Sequence, residues 1–317
     1  MKKIGILDLG TNTFNLLLAE VSEQDYTIFY RTKIVVKLGE GGITKGFIAE
    51  TPYKRGMDAL SQYKAKLEEQ NISEFYAVAT SAIRSASNGS LFVKEAEQTL
   101  GILINVIDGD TEADLIYKGV KQALDLEESP KLIIDIGGGS TEFIIGNNQE
   151  TFWRKSYKLG AARLLEAFKP SDPISLEDVA NIDAHLEESL SEMIEMAELY
   201  EVNCLIGSSG SFDTLAEMIS CKNGDCSLWR KEKNYTFLMA DYNGIQRKIS
   251  ESTLEERLAM EGLVPMRADM IGIAVLVVNY ILNRLIIHDL RLSNYALKEG
   301  LIHTLLTKPE QWQKSSL

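Results

Sequence analysis

At 317 residues, with 45% hydrophobic and 25% charged residues, the chain is too long for one ordinary core and reads as a globular protein of two domains of about 100–200 residues each. A formal net charge of −13 excludes a surface that grips DNA or RNA over its whole area, and leaves a polyanionic substrate only a local basic patch or a metal to bind. Asp8 and Asn12 break the apolar run behind Met1-Lys2-Lys3, and the apolar stretch beginning at Met270 falls short of the roughly 20 residues a membrane span needs, so neither a signal peptide nor a membrane partner is expected. Cys204, Cys221 and Cys226 show no ligand-type pairing and the histidines are scattered. Neither a zinc site nor a disulfide framework is expected, and a reducing cytoplasm is.

In chain order, an apolar strand closes on Asp8, turns through Leu9-Gly10-Thr11-Asn12-Thr13 and returns through Phe14, Leu16 and Leu18 as a hairpin. Residues 26–37 read as a third strand running into Gly39-Glu40-Gly41-Gly42. Thr51 is placed to cap a helix with Pro52 at its first position, ending near Glu69. Then come a strand over 75–80, a helix capped by Asn88, a strand over 103–107 and a helix capped by Asp110. Glu127-Glu128-Ser129-Pro130 reads as the linker. The programme then restarts. A strand ends in Asp135-Ile136-Gly137-Gly138-Gly139-Ser140-Thr141-Glu142-Phe143, and a further strand covers 151–157. Helices are expected over 161–168 and, capped by Ser175, over 176–200. A strand over 203–206 leads into a Gly207-Ser208-Ser209-Gly210-Ser211 loop and a helix from near Phe212. The rest is mostly helical, including an apolar helix over 269–285, with a late strand over 290–292.

The restart implies an internal duplication: an α/β protein of two related domains, each with a mixed sheet, and a cleft between them. The expected boundaries are 1–125 plus a C-terminal helix at 298–317 for one domain, and 126–297 for the other.

The two hairpin tips carry the strongest chemical signal. Gly10, Thr11, Asn12 and Thr13 in one, and Gly137, Gly138, Gly139, Ser140 and Thr141 in the other, offer backbone N–H groups and small hydroxyls suited to phosphate oxygens. Three consecutive glycines are costly in ordered structure unless something approaches the backbone closely. Asp8 at one tip, and Asp135 with Glu142 at the other, are oxygen ligands suited to Mg2+. The segment from Gly207 to Ser211 is a third anion-facing candidate, although ordinary loop chemistry explains it equally well. Arg84, past a strand end, fits a phosphate contact or a surface ion pair. Glu112 sits in a first helical turn, where the helix dipole favours an acid without any catalytic role. Arg267 fits phosphate binding or a salt bridge to Asp269.

Taken in order, residues 8–14, 80–84, 112–117, 135–142, 207–211 and 265–269 resemble the Ppx/GppA phosphatases. These are exopolyphosphatases and guanosine pentaphosphate phosphohydrolases of the actin/hexokinase/Hsp70 superfamily, and the resemblance runs from residue 1 to about 305. It implies two duplicated actin-like (ribonuclease H-like) domains in the short form, without an additional helical domain. It further implies Glu112 as the base that activates water, Asp135 and Glu142 at a Mg2+ site, and phosphate-cradling loops around 137–140 and 207–211. Arg84 and Arg267 match positions associated with the active site. Asp114 stands where members usually carry Arg, Lys298 replaces an Arg beside the terminal Glu299-Gly300, and Gly-Ser-Ser-Gly-Ser replaces the commoner Gly-Thr-Ser-Gly-Thr.

The expected activity is cytoplasmic, Mg2+-dependent release of terminal phosphate from polyphosphate or guanosine pentaphosphate, a stringent-response chemistry, by a protein whose resemblance implies a homodimer. Two alternatives stand beside it. One is a kinase or ATPase of the same superfold. The other is a weakly catalytic alarmone- or polyphosphate-binding regulator, suggested by Asp114.

Overall fold

The computed structural model describes residues 2–23 and 25–316. The chain forms two compact units. One holds everything up to Gly119 together with Gly137–Gly139 and Leu297–Leu317; the other holds Val120–Ile136 and Ser140–Ala296.

In the first unit, β1 (Lys2–Leu9), β2 (Thr13–Val21) and β3 (Tyr26–Val35) form an antiparallel meander. After α1 (Glu50–Glu69), β4 (Glu74–Ala79) pairs parallel to β1. The helices α2 (Ser81–Ser85) and α3 (Gly89–Leu100) lead to β5 (Ile104–Val106), parallel to β4, and α4 (Gly109–Ala123) follows. Strand burial explains the sequence pattern. From Phe75 to Ala79 every residue of β4 is buried, so it reads as a continuous apolar run, whereas β3 at the sheet edge alternates half-buried and exposed.

Three caps differ from expectation. α1 starts at Glu50 with Ala49 at the capping position; Thr51 and Pro52 lie in a first turn that needs no proline N–H. Asn88 precedes α3, but its amide clamps Ile48, accepting from its N–H and donating to its carbonyl, each at 2.8 Å. α4 is capped by Asp108 rather than Asp110, because the Asp108 carboxylate accepts from the Thr111 N–H at 2.7 Å.

The second unit repeats the design. β6 (Lys131–Ile136), β7 (Thr141–Gly146) and β8 (Thr151–Tyr157) form the meander. Helices α5 (Ala161–Phe168), α6 (Leu176–Ser189) and α7 (Ser191–Leu199) precede β9 (Cys204–Ser208), which pairs parallel to β6. The single helix expected over 176–200 is therefore two. Ser175 and Asp178 form the capping box of α6, and at the break the Ser191 hydroxyl donates to the Glu188 carbonyl, competing with the helical ladder.

α8 (Ser209–Lys222) follows β9 directly, then β10 (Asn234–Phe237), α9 (Met239–Ser250), α10 (Leu254–Leu258) and α11 (Ile271–Arg284). β11 (Asp289–Ser293) lies parallel to β9 and antiparallel to β10. α11 is buried on nearly every side, which accounts for its all-apolar sequence. The segment read as a linker is tied into this unit instead, with Lys131 Nζ donating to Glu127 at 3.1 Å and to Ser129 at 2.5 Å. The cysteine reading is also corrected. A disulfide joins Cys221, in the last turn of α8, to Cys226, the chain reversing at Gly224 with φ +95°.

Finally α12 (Leu297–Thr307) and β12 (Ser315–Ser316), which pairs with β4, return to the first unit. The sheet orders are β12-β4-β1-β2-β3, with β5 on β4, and β10-β11-β9-β6-β7-β8. The duplication extends to register. Asp8 faces Asn15 across β1 and β2 as Asp135 faces Glu142 across β6 and β7. The same offset relates the irregularity at Leu18/Ala19 to that at Ile145/Gly146. Two duplicated α/β domains with mixed sheets are what the fold contains.

Gly300 lets α12 lie against α4: a Cβ there would collide with the Leu115 carbonyl oxygen. Gly300→Ala is expected to destabilise the protein by about 1–3 kcal/mol, the usual range for overpacking a filled contact, read as a lowered midpoint in thermal unfolding.

Candidate active site

In the second unit a polar row crosses the sheet at one register. Ser156 on β8 pairs with Glu142 on β7, Glu142 with Asp135 on β6, Asp135 with Ser208 on β9, and Ser208 with Ser293 on β11. Directly opposite residues of an antiparallel pair share a face with Cβ atoms about 4.5–5.5 Å apart, so the two carboxylates are neighbours. Both are buried, Asp135 at 7% and Glu142 at 1% exposure. Hydroxyls answer them: Ser208 and Ser209 donate to Asp135 at 2.8 and 2.5 Å, and Ser156 donates to Glu142 at 2.7 Å. The donor set is all oxygen, the chemistry of a hard divalent cation. Thr141, next to Glu142, spends its hydroxyl on the Leu159 carbonyl at 2.9 Å, and Ser140 is buried.

The segment from Gly207 to Ser211 is not a loop. β9 continues through Ser208 because it is paired on both sides, and α8 begins at Ser209, whose φ of +66° makes the sharp turn between them. Gly207 makes room for the Phe212 ring and Gly210 for the Arg267 guanidinium, each standing where a Cβ would be. Arg267, on the short turn Pro265–Arg267, is half-buried. Burial pulls its pKa down from the ordinary arginine value, while the carboxylates of Asp213, Asp135 and Glu217 favour the charged form.

In the first unit, the Gly10 N–H donates to the Thr13 carbonyl at 3.1 Å, which closes the hairpin turn. Residues 36–38 pin the tip from outside: Val36 and Lys37 donate to the Asn12 carbonyl, and Leu38 to that of Thr11. Gly138 and Gly139, which belong to this unit, approach the tip closely. A Cβ on Gly138 would lie 2.7 Å from Asn12 Cγ, and one on Gly139 would lie 2.7 Å from both Thr11 Oγ1 and Ser81 Oγ. That is the close approach the glycine run required. Asp8 accepts from Asn15 Nδ2 at 3.0 Å and has Lys298 Nζ at 3.9 Å.

Arg84 and Glu112 come together. Arg84 Nη1 donates to Glu112 Oε2 at 2.7 Å and to the Ile107 carbonyl at 2.9 Å. Glu112 is only 7% exposed, so this bond fixes a buried carboxylate at the positive end of α4. Asp114 is not an isolated anion either, since Lys118 one turn on lies 2.7 Å away.

Asn15, Ser81, Ser156 and Lys298 were not assigned from sequence. The signal for Asn15 was available: the spacing that takes Asp135 to Glu142 takes Asp8 to Asn15. Ser156 is visible only once the β7–β8 register is known. Among the described residues no helix is long and apolar enough to cross a membrane.

The model of the Ppx/GppA phosphatase family matches residues 17–309. The chain is 30% identical over 306 residues to a guanosine-5'-triphosphate,3'-diphosphate pyrophosphatase of Pseudoalteromonas translucida, over 95% of this chain and 59% of that protein; it spans less than two thirds of that relative's length. The crystal structure of an exopolyphosphatase from Cytophaga hutchinsonii superposes with a TM-score of 0.93 at 37% identity, over 96% of this chain and 98% of that one. An Aquifex aeolicus Ppx/GppA family member shares the fold, with a TM-score of 0.79 at 24% identity over 97% and 98% of the two chains.

Proposed function

The chain belongs to the Ppx/GppA phosphatase family, and from that premise we propose that it releases terminal phosphate from a linear phosphoanhydride, either inorganic polyphosphate or the 5′ end of guanosine pentaphosphate. The observation that carries the hydrolytic reading is Glu112, a buried carboxylate oriented by Arg84 at 2.7 Å. A general base needs a fixed position before it needs anything else, and this contact supplies one.

Phosphoryl transfer leaves a protein little to do besides positioning and dispersing charge. In this reading Glu112 takes the proton of the attacking water. The hydroxyls of Thr11, Thr13, Ser140 and Ser211 and the amides of the glycine-rich turns hold phosphate oxygens, while the Ser208 and Ser209 hydroxyls are committed to orienting Asp135. Arg84, Arg267 and Lys298 supply the positive charge that the global −13 lacks. Asp135 and Glu142 of the second unit are assigned to Mg2+, which would neutralise charge on the phosphate oxygens, and Asp8 is the corresponding oxygen-ligand candidate of the first unit. A homodimer accompanies this reading on family resemblance. With Cys221 and Cys226 joined, cysteine usage does not support a reducing cytoplasm as the site of action.

The test is phosphate release from polyphosphate, guanosine pentaphosphate and ATP with Mg2+. Hydrolysis of either of the first two supports the proposal. Transfer from ATP to an acceptor would favour a kinase, and tight binding without release would favour a regulator. Lys118, 2.7 Å from Asp114, partly offsets the anion whose charge suggested a regulator.

Arg267 gives a separate prediction. In Gly210→Ala the new methyl takes the place of the guanidinium, which swings away at the end of a flexible side chain. Loss of one charge-assisted phosphate contact is expected to lower kcat/KM about 10- to 100-fold. Steady-state kinetics beside an unchanged circular dichroism spectrum would check it.

A further inference from the structure

Among the described residues outside the phosphate-handling set, one cluster has metal-ligand chemistry. Cys221, Cys226 and Glu261 each offer one ligand atom, and these atoms all lie within 4.8 Å of one another. Cys226 Sγ stands 3.8 Å from Glu261 Oε1. Three separate features build this arrangement. Cys221 is buried in the last turn of α8, Gly224 reverses the chain to return Cys226 to it, and Gly262 brings Glu261 over the helix end. Gly262 has φ +79°, and a Cβ there would sit 2.8 Å from the Met218 backbone and 3.0 Å from Cys221 Sγ, so that approach is open only to glycine. Cys226 is half-buried and Glu261 exposed, which leaves the cluster open to solvent.

We propose that Cys221, Cys226 and Glu261 form a redox-gated site for a borderline-soft divalent cation of the zinc type, closed as the disulfide and open when reduced. Zn2+ takes both thiolate sulfur and carboxylate oxygen as ligands, and a site with three protein ligands leaves the fourth position to water. Opening the site requires a dithiol reductant. It supplies two electrons and two protons, is itself oxidised to a disulfide, and leaves Cys221 and Cys226 as thiols. Cation binding then converts both thiols to thiolates and releases two protons to solvent. The remaining cysteine does not compete. Cys204 is enclosed in β9, and burial, aided by Asp289, pushes its thiol up to about 12.

The experiment uses the full chain, reduced with a dithiol and then freed of reductant, with Co2+ as the spectroscopic probe and Zn2+ as competitor. The reduced protein is expected to give a thiolate-to-cobalt charge-transfer band that one equivalent of Zn2+ abolishes, and the oxidised protein to give none. Cys226→Ser is expected to lose the band, and Glu261→Gln to weaken Co2+ affinity about 10- to 100-fold, a range reached even by removing partners of metal ligands. Cys226→Ala replaces the serine variant if that one fails a circular dichroism check. Absence of the band in reduced wild type, or its persistence in either Cys226 variant, would overturn the proposal. The outcome is independent of whether the chain hydrolyses phosphoanhydrides.

Discussion

Glu112→Gln is expected to lower kcat by about 100- to 10,000-fold while leaving KM within a few-fold of wild type, because a positioned general base acts on the transition state and not on substrate binding. The substitution is close to isosteric and keeps an oxygen acceptor for Arg84, which now donates at 2.7 Å. Stability should therefore fall by no more than about 1–3 kcal/mol, the difference between a charge-assisted bond and a neutral one. Steady-state rates of phosphate release beside a thermal melt check both halves. Equal rates for the two proteins would remove Glu112 from the chemistry. A large loss of folded protein would make the residue structural.

The second large effect concerns the paired carboxylates of β6 and β7. Asp135→Asn keeps an oxygen for the hydroxyls of Ser208 and Ser209 but removes the charge. Activity is expected to fall about 100- to 1,000-fold, the usual size of removing one preorganised electrostatic stabiliser from a dry site. Stability should move the other way. Asp135 and Glu142 stand directly opposite each other, and like charges in that position destabilise a sheet. Without divalent cation, the variant is expected to melt at or above the wild-type temperature. With Mg2+ added, wild type should gain stability and the variant much less, since only binding to the folded state raises its midpoint. A variant that melts far below wild type in metal-free buffer would mean that Asp135 is held for packing alone.

Both expectations rest on features that differ in how openly the sequence carried them. The two aspartate hairpins were legible because a buried strand, a turn of small residues and a returning strand have a local signature. Their register was implicit: the shared offset from Asp8 to Asp135 also carries Asn15 onto Glu142, and only pairing reveals what that means. Glu112 was the opposite case. Its acid is what any helix start prefers, and nothing local announces that Arg84, from a different helix, will lock it. The junction at Ser208 and Ser209 read as a loop because glycines and serines are loop formers. Strand pairing on both sides of β9 overrode that local preference. A long-range contact displaced one expected cap, Asn88, because Ile48 presents a full backbone amide to it, and a local one displaced Asp110, because Asp108 reaches the Thr111 N–H first. Cys221 and Cys226 were missed because their partnership depends on a reversal at Gly224 that spacing does not encode.

The central claim is that water, oriented by Glu112, attacks the terminal phosphorus of a phosphate chain. Its most direct test is a single-turnover reaction on polyphosphate and on guanosine pentaphosphate in water enriched in the heavy oxygen isotope, followed by mass analysis of the released phosphate. One heavy oxygen per orthophosphate, released from the chain end by wild type and slowed in Glu112→Gln, is the predicted result. Phosphate without the heavy label, or no phosphate from either substrate, would contradict it.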